Sequence, residues 1–276
     1  MIRRMDLILF DLDGTLLNKR SEITVFTRDT LRKLSELNIA YTVATGRTLH
    51  TARDLLEGHE FRLPHIFKNG VMIWDPNSDQ YLLQNYLSLD EIRRVLEAML
   101  EHQLTPFVFT LEPGNRHGVY HTALCNETEV RLAKHFGASD AVTVLPIDQL
   151  PAEADITNIS SLGAPGTVAI VEELVLSEPH LVAYAGSALE GAQYRWVDIH
   201  HSDASKGAAM ASLKAHVGAS RVICFGDSDN DLSMFAAADE SYATANANTA
   251  IKEAATAVIG HHDEDGVARY LRERYW

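Results

Sequence analysis

The stretch Leu7–Thr15, LILFDLDGT, decides the fold of this chain. Its first four residues form a continuous apolar run, which is typical of a strand covered on both faces of a parallel sheet. Asp11 and Asp13 follow, and residues two apart in an extended chain face the same side. Because ligands of open α/β sheets bind beyond the carboxyl ends of the strands, we expect both carboxylates to point into a site there.

The composition indicates an acidic globular protein of one large or two medium domains. The chain has 276 residues and a formal net charge of −14, which argues against non-specific binding to nucleic acid or anionic membranes. No apolar run approaches the roughly 20 residues of a membrane helix. Cys125 and Cys224 indicate no disulfide framework, and the N-terminus MIRRMD reaches an acid too soon for a signal peptide. We therefore predict a cytoplasmic protein, a monomer or weak homo-oligomer, that binds neither nucleic acid nor membranes.

Apolar strands alternate with amphipathic helices towards both ends of the chain, which predicts βαβ units and a parallel sheet. This alternation of strands and helices ends after residue 83, where hairpins and helices indicate a separate α+β module. We therefore predict an α/β core built from residues 1–83 and 187–276, with an inserted cap domain at residues 84–186. The strand predicted at Tyr194–Ile199 belongs to the core in this interpretation.

A second group of acids follows another buried strand. The apolar segment Arg221–Phe225 is followed by the sequence GDSDND, which contains Asp227, Asp229 and Asp231. If both strands are central in one parallel sheet, the two acid clusters meet at one edge. Carboxylates with few histidine or cysteine partners make a hard oxygen site that suits Mg²⁺ rather than Zn²⁺.

Two donors can serve an anion at the same edge. Thr45 begins a Thr-Gly-Arg sequence between a strand and a helix, where its hydroxyl and the first helical N–H groups can cradle a phosphate; an ordinary strand-to-helix turn is the alternative. Lys206 opens a later helix. With Mg²⁺, these residues predict phosphoryl transfer. Asp11 would attack phosphorus, and Asp13 would protonate the leaving oxygen and then deprotonate the attacking water.

Four motifs, in this order and spacing, resemble those of the haloacid dehalogenase superfamily. They are Asp11-Leu12-Asp13-Gly14-Thr15, Thr45-Gly46-Arg47, Ser205-Lys206-Gly207 and Gly226–Asp231. Further sequences resemble its Cof-type branch of sugar-phosphate phosphatases, namely Asn69-Gly70, Met234, Asn246-Ala247 and Asp265-Gly266-Val267. The resemblance implies a Rossmann-like parallel-sheet core with a large α/β cap between the second and third motifs.

The resemblance also implies a role for each matching residue. Asp11 becomes the aspartyl-phosphate nucleophile and a Mg²⁺ ligand, while Asp13 becomes the acid/base and gives its carbonyl to Mg²⁺. Asp227 ligates the metal, and Asp231, assigned to the same metal site, orients the metal shell or Lys206. The predicted phosphate-binding residues are Leu12, Thr45, Gly46, Arg47, Lys206 and Asn230.

We therefore predict a Mg²⁺-dependent phosphatase that hydrolyses phosphate monoesters of small metabolites, sugar phosphates above all. A phosphomutase and a non-catalytic phospholigand-binding protein of the same fold are the alternatives. Arg47 either steers the substrate or pairs with a surface acid. For the doublets His200-His201 and His261-His262, solvated side chains are favoured over metal ligands, because adjacent residues on a strand point to opposite faces.

Overall fold

The structure is a computed structural model that describes residues 6–113, 116–188 and 191–276. The chain divides into two compact units. The first, which we call the discontinuous unit, comprises Met1–Gln84 and Ala204–Trp276. The second, the inserted unit, comprises Asn85–Asp203.

The helices and strands follow one another in chain order. The first segment of the discontinuous unit contains β1 (Asp6–Phe10), α1 (Val25–Glu36), β2 (Ala40–Val43), α2 (Leu49–Leu56), β3 (His65–Phe67), β4 (Met72–Asp75) and β5 (Gln80–Gln84). The inserted unit contains α3 (Leu89–Glu101), β6 (Phe107–Glu112), β7 (Arg116–His121), α4 (Glu127–Phe136), β8 (Val142–Pro146), β9 (Asp155–Gly163), α5 (Pro165–Leu176), β10 (Leu181–Ser187) and β11 (Arg195–His201). The last segment contains α6 (Lys206–Val217), β12 (Arg221–Gly226), α7 (Leu232–Ala237), β13 (Glu240–Ala243), α8 (Thr249–Ala254), β14 (Ala257–Val258) and α9 (Gly266–Tyr275).

A parallel sheet forms the centre of the discontinuous unit. Its strand order is β14-β13-β12-β1-β2, and every pairing is parallel. Alternation along β1 sends Ile8 and Phe10 into the apolar cluster on one face and Leu7 and Leu9 into the cluster on the other. All four side chains are fully buried. The predicted α/β fold with a parallel sheet is confirmed, and β1 lies between its two neighbours β12 and β2.

The inserted unit has its own sheet and its own apolar core. The strand order is β10-β11-β9-β6-β7-β8. Residues of α3 and α5, among them Val95 and Val171, pack with Ile159 in one cluster, while Ala133 and Phe136 of α4 pack with other side chains of the sheet. This is the predicted α+β composition. Among the described residues, no helix is long and apolar enough to cross a membrane.

The chain returns to the discontinuous unit later than the sequence pattern predicts. Strand β11 pairs antiparallel with β9 and β10, so residues 187–203 belong to the inserted unit. An apolar pattern identifies a strand but does not identify its partner. The structure also corrects the prediction for His200, which is fully buried, with its ring centroid 5.2 Å from that of Tyr184 on the neighbouring strand β10. Its neighbour His201 remains partly exposed.

We expect His65 on β3 to make the stability of the protein depend on pH. Its Nδ1 lies 2.9 Å from the Thr42 hydroxyl, and burial lowers its pKa to about 4. Below pH 6.5 the unfolded chain therefore binds a proton that the folded protein does not bind, and unfolding becomes more favourable as the pH falls. We expect this group to remove about 3 kcal/mol from the free energy of unfolding between pH 7 and pH 4.

Urea denaturation at the two pH values tests the prediction. His65→Gln should lose less stability on acidification than the wild type does. His216→Gln, at an exposed position on α6, is the matched control and should retain the wild-type loss. An acid-induced loss in His65→Gln as large as that of the wild type would contradict the assignment.

Candidate active site

Carboxylates from two neighbouring strand ends meet at one edge of the parallel sheet. The Asp11 N–H donates to the carbonyl of Phe225 over 2.9 Å, which continues the β1–β12 pairing by one residue. Oxygens of Asp11, Asp227 and Asp231 all lie within 4.8 Å of one another. The sequence-predicted convergence of the two acid motifs is therefore present in the structure.

Lys206 carries a positive charge into this cluster. It is the first residue of α6, whose N-cap Ser205 accepts a hydrogen bond from the Ala208 N–H. Its Nζ lies 2.6 Å from Asp11 Oδ1 and 2.7 Å from Asp231 Oδ1, and the side chain is fully buried. Burial alone would lower the pKa of Lys206, but the two carboxylates outweigh it and hold the pKa above its usual value. The lysine is therefore an ammonium ion at neutral pH.

One ammonium group does not balance three clustered acids. Burial raises the pKa of Asp11 well above its usual value; Lys206 opposes the shift, and the charges of Asp231 and Asp227 add to it. Burial, together with the charge of Asp231, raises the pKa of Asp227 to about 6. A cation bound between these acids would favour their ionised forms.

Asp231 has most of its acceptor capacity used within the protein. Oδ1 accepts from Lys206, and Oδ2 accepts the N–H groups of Asp227 and Ser228 at 2.9 Å and 3.1 Å. These bonds tie the loop after β12 to the lysine. We therefore expect Asp231 to anchor Lys206 and the loop, and Asp11 and Asp227 to be the side chains that reach a cation.

The Asp13 side chain turns away from this cluster and pairs with Arg47. The guanidinium Nε and Nη2 donate to the two carboxylate oxygens over 2.7 Å and 2.6 Å. This bidentate bond raises the pKa of Arg47. Asp13 is 54% exposed and Arg47 only 23%. Of the two alternatives for Arg47, pairing with an acid is the one observed, and that acid is the predicted acid/base.

The predicted phosphate-binding residues occupy the loops beside these acids. Leu12 packs its side chain fully into the core, so its backbone is the part that can serve a ligand. Thr45 is buried, and its hydroxyl accepts the Arg47 N–H over 3.1 Å. The Asn230 amide donates to Asn69 Oδ1 over 2.9 Å, and the Asn69 N–H donates to the Thr45 carbonyl over 3.0 Å. Asn69 thus links the second and fourth motifs.

The turn after Asp11 fits closely against Asp227. Gly14 has φ +74°, and a Cβ there would lie 2.3 Å from Asp227 Oδ2, so only glycine fits. Thr15 donates to Asp227 Oδ1 over 3.3 Å. Sequence reasoning gave no role to Thr15, or to Thr244 and Asn246, which donate to the Gly14 carbonyl. Thr15 and Asn246 do lie in sequences that resemble the family, and Thr244 directly follows β13, and these are the signals that could have pointed to them.

Comparison with known proteins agrees with this geometry. The family model of haloacid dehalogenase-like hydrolases matches residues 8–271. The chain belongs to this family. The membership predicted from the motifs, including the Cof-type branch, is confirmed.

This hydrolase is similar over nearly its whole length to proteins that are named as phosphatases. It is 24% identical over 280 residues to the 5-amino-6-(5-phospho-D-ribitylamino)uracil phosphatase YitU of Bacillus subtilis, with 98% of this chain and 97% of the relative covered. It is 24% identical over 276 residues to the pyridoxal phosphate phosphatase YbhA of Escherichia coli, with 96% of each covered. The solved structure of the subclass IIB sugar phosphatase BT4131 superposes with a TM-score of 0.75 at 18% identity, over 98% of this chain and 99% of that one. The hydrolase therefore shares its fold with that phosphatase.

Proposed function

We propose that this hydrolase is a Mg²⁺-dependent phosphatase that releases phosphate from monoesters of small metabolites, sugar phosphates above all. The observation that carries the proposal is the buried ammonium of Lys206 between Asp11 and Asp231, with Asp227 beside them. The phosphatase names of the relatives YitU and YbhA support the reaction class. The fold shared with a sugar phosphatase supports the substrate class.

The donor set suits a hard divalent cation. The clustered ligand atoms are carboxylate oxygens. Mg²⁺ prefers oxygen ligands of this kind, whereas Zn²⁺ sites are usually built from cysteine and histidine side chains. Asp11 and Asp227 would hold the ion, together with the backbone carbonyl of Asp13 that the family resemblance implies. When bound, the ion offsets the repulsion between the carboxylates and the anionic substrate.

Asp11 is the nucleophile in the first step. An oxygen of its ionised carboxylate forms a bond to phosphorus, the bond from phosphorus to the ester oxygen breaks, and an aspartyl phosphate results. Lys206 lies 2.6 Å from that carboxylate and helps to keep it ionised while the substrate binds. Thr45 and Asn230, joined through Asn69, supply donors to the phosphoryl oxygens.

Asp13 moves the proton in both steps. It gives a proton to the leaving ester oxygen, and its carboxylate then takes a proton from the water that attacks the aspartyl phosphate, which restores Asp11 and frees phosphate. The Arg47 guanidinium donates a hydrogen bond to each oxygen of Asp13 and thereby fixes the orientation of the carboxyl group. This contact must loosen when Asp13 carries the proton.

Release of inorganic phosphate tests the proposal. Purified protein is incubated with sugar phosphates, nucleoside monophosphates and pyridoxal phosphate, with Mg²⁺ or with EDTA. We expect release with Mg²⁺ and its loss in EDTA, strongest for sugar phosphates. Conversion of one sugar phosphate isomer into another without release would support a phosphomutase. Binding of these compounds without any turnover would support a non-catalytic protein.

Substitution of Arg47 should lower kcat most for substrates whose leaving group must be protonated. For Arg47→Ala we expect kcat to fall about 100-fold with a sugar phosphate, since protonation by a well-placed acid contributes that much or more. With p-nitrophenyl phosphate, whose leaving group needs no proton, the fall should be about 10-fold or less. Steady-state assays on both substrates measure the ratio.

The matched control is Arg53→Ala on α2, whose guanidinium lies over the Trp74 ring. This variant should retain the wild-type kcat with both substrates. An equal loss with both substrates in Arg47→Ala would show that Arg47 serves the phosphate and not Asp13.

The cellular compartment and the oligomeric state of the enzyme are also part of the proposal. We assign the enzyme to the cytoplasm, because Cys125 and Cys224 are both free thiols, as is usual in a reducing compartment. The monomer or weak homo-oligomer predicted from the sequence remains a proposal.

A further inference from the structure

Asn246 joins three separate segments of the discontinuous unit. It follows β13, and its Nδ2 donates to the Gly14 carbonyl over 2.8 Å. The same nitrogen lies 3.4 Å from Asp227 Oδ2. Its Oδ1 accepts the N–H of His262 over 3.1 Å. One amide side chain thus contacts the loop after β1, the loop after β12 and the segment that precedes α9.

These contacts hold Asp227 from both sides. Thr15 lies 3.3 Å from Asp227 Oδ1, and Asn246 lies beside Oδ2. Thr244 gives the Gly14 carbonyl a second donor at 3.0 Å, so that the turn cannot move without breaking two hydrogen bonds. Since a Cβ at Gly14 would meet Asp227, a small shift of this turn would change where the Asp227 carboxylate lies.

We propose that Asn246 is a positioning residue for the divalent cation: its amide fixes Asp227 against the turn that follows Asp11 and thereby sets the affinity for Mg²⁺. The inference rests on the proposed function, in which Asp11 and Asp227 hold the ion. The site requires an amide because it uses donors towards Gly14 and Asp227 and an acceptor towards His262. An aspartate would have no donor and would repel Asp227.

The proposed role predicts how much the affinity for Mg²⁺ should change. Groups that orient metal-binding carboxylates typically change metal affinity by about 10-fold to 100-fold when they are removed. We expect Asn246→Ala to raise the Kd for Mg²⁺ by a factor in this range. Thr244→Val keeps the amide and loses one hydrogen bond to the Gly14 carbonyl, so we expect a rise of about 2-fold to 10-fold.

Calorimetric titration of the full-length protein with MgCl₂ alone measures these constants without any turnover. The matched control is Asn248→Ala, two residues away, where the side chain only caps α8 by accepting the Ile251 N–H. This variant should unfold at a lower temperature than the wild type and keep the wild-type Kd. Thermal unfolding of each variant shows that it is folded, and Thr244→Val carries the test if Asn246→Ala does not fold.

The outcomes separate the inference from the proposed function. A raised Kd in Asn246→Ala and Thr244→Val, with a wild-type Kd in Asn248→Ala, supports the positioning role. Lower thermal stability of Asn246→Ala with an unchanged Kd would assign it a structural role and overturn the inference. Absence of Mg²⁺ binding by the wild type would instead reject the metal site of the proposed function, and the positioning role with it.

Discussion

We expect Asp11→Asn to abolish phosphate release, with a kcat lower by about 10⁴-fold or more. Removal of a covalent nucleophile causes one of the largest losses of kcat known for a single substitution. Asparagine has nearly the same shape, and its oxygen can still accept the hydrogen bond from Lys206. The variant should therefore fold and bind substrate. The measurement is steady-state phosphate release with the best sugar phosphate of the panel.

A second readout identifies the intermediate itself. Wild-type protein quenched in acid during turnover of a ³²P-labelled substrate should carry label that hydroxylamine removes, as expected for an acyl phosphate, and Asp11→Asn should carry none. Asp29→Asn, on the surface of α1 beside Arg32, is the matched control and should behave as wild type. Release that survives in Asp11→Asn, or label that persists in it, would show that another group attacks phosphorus.

Lys206→Met should destabilise the protein as well as inactivate it. The substitution leaves the buried carboxylates of Asp11 and Asp231 without the ammonium group that contacts both. Breaking a buried ion pair on one side costs about 3–5 kcal/mol, and we expect the free energy of unfolding at pH 7.5 without Mg²⁺ to fall by this amount. Loss of the charge beside the reacting phosphate should lower kcat by about 10²-fold to 10³-fold.

The same helix offers the control for this prediction. Lys214 of α6 pairs with Asp239 over 3.0 Å, and both side chains are substantially exposed. Because exposed pairs contribute little, Lys214→Met should change the free energy of unfolding by less than about 1 kcal/mol and leave kcat unchanged. Urea denaturation and phosphate release measure both variants. Equal stability of Lys206→Met and Lys214→Met would refute the idea that the buried ammonium stabilises the folded state.

Local hydrophobic patterns predicted the individual strands and helices well, but they could not predict which strands pair with one another in a sheet. The apolar run Leu7–Phe10 identifies a buried parallel strand because burial on both faces leaves no polar position. The segment Arg195–His201 has an equally clear strand pattern, yet its partners β9 and β10 are chosen by tertiary packing. The boundary of the inserted unit and the burial of His200 were missed for this reason.

The acid cluster was predictable for a topological reason, while the contacts around it were not. Strand ends of one parallel sheet must share an edge, so Asp11 and Asp227 converge once β1 and β12 are neighbours. The bond between Arg47 and Asp13 depends on side-chain rotamers across two loops, and no sequence spacing expresses it. The hydrogen bonds of Asn246 are of the same kind.

Strand β1 of the discontinuous unit pairs with β12, which the ribosome makes only after the whole inserted unit. Phe10 pairs with Phe225, and Lys206 follows the whole inserted unit, whose sheet draws all its strands from Asn85–Asp203. During synthesis, the inserted unit can therefore complete its pairing while β1 still waits for β12. A growing chain that ends within the inserted unit contains Asp11, the proposed nucleophile, but lacks Lys206 and Asp227. Under the proposed mechanism, such a chain should not hydrolyse phosphate esters.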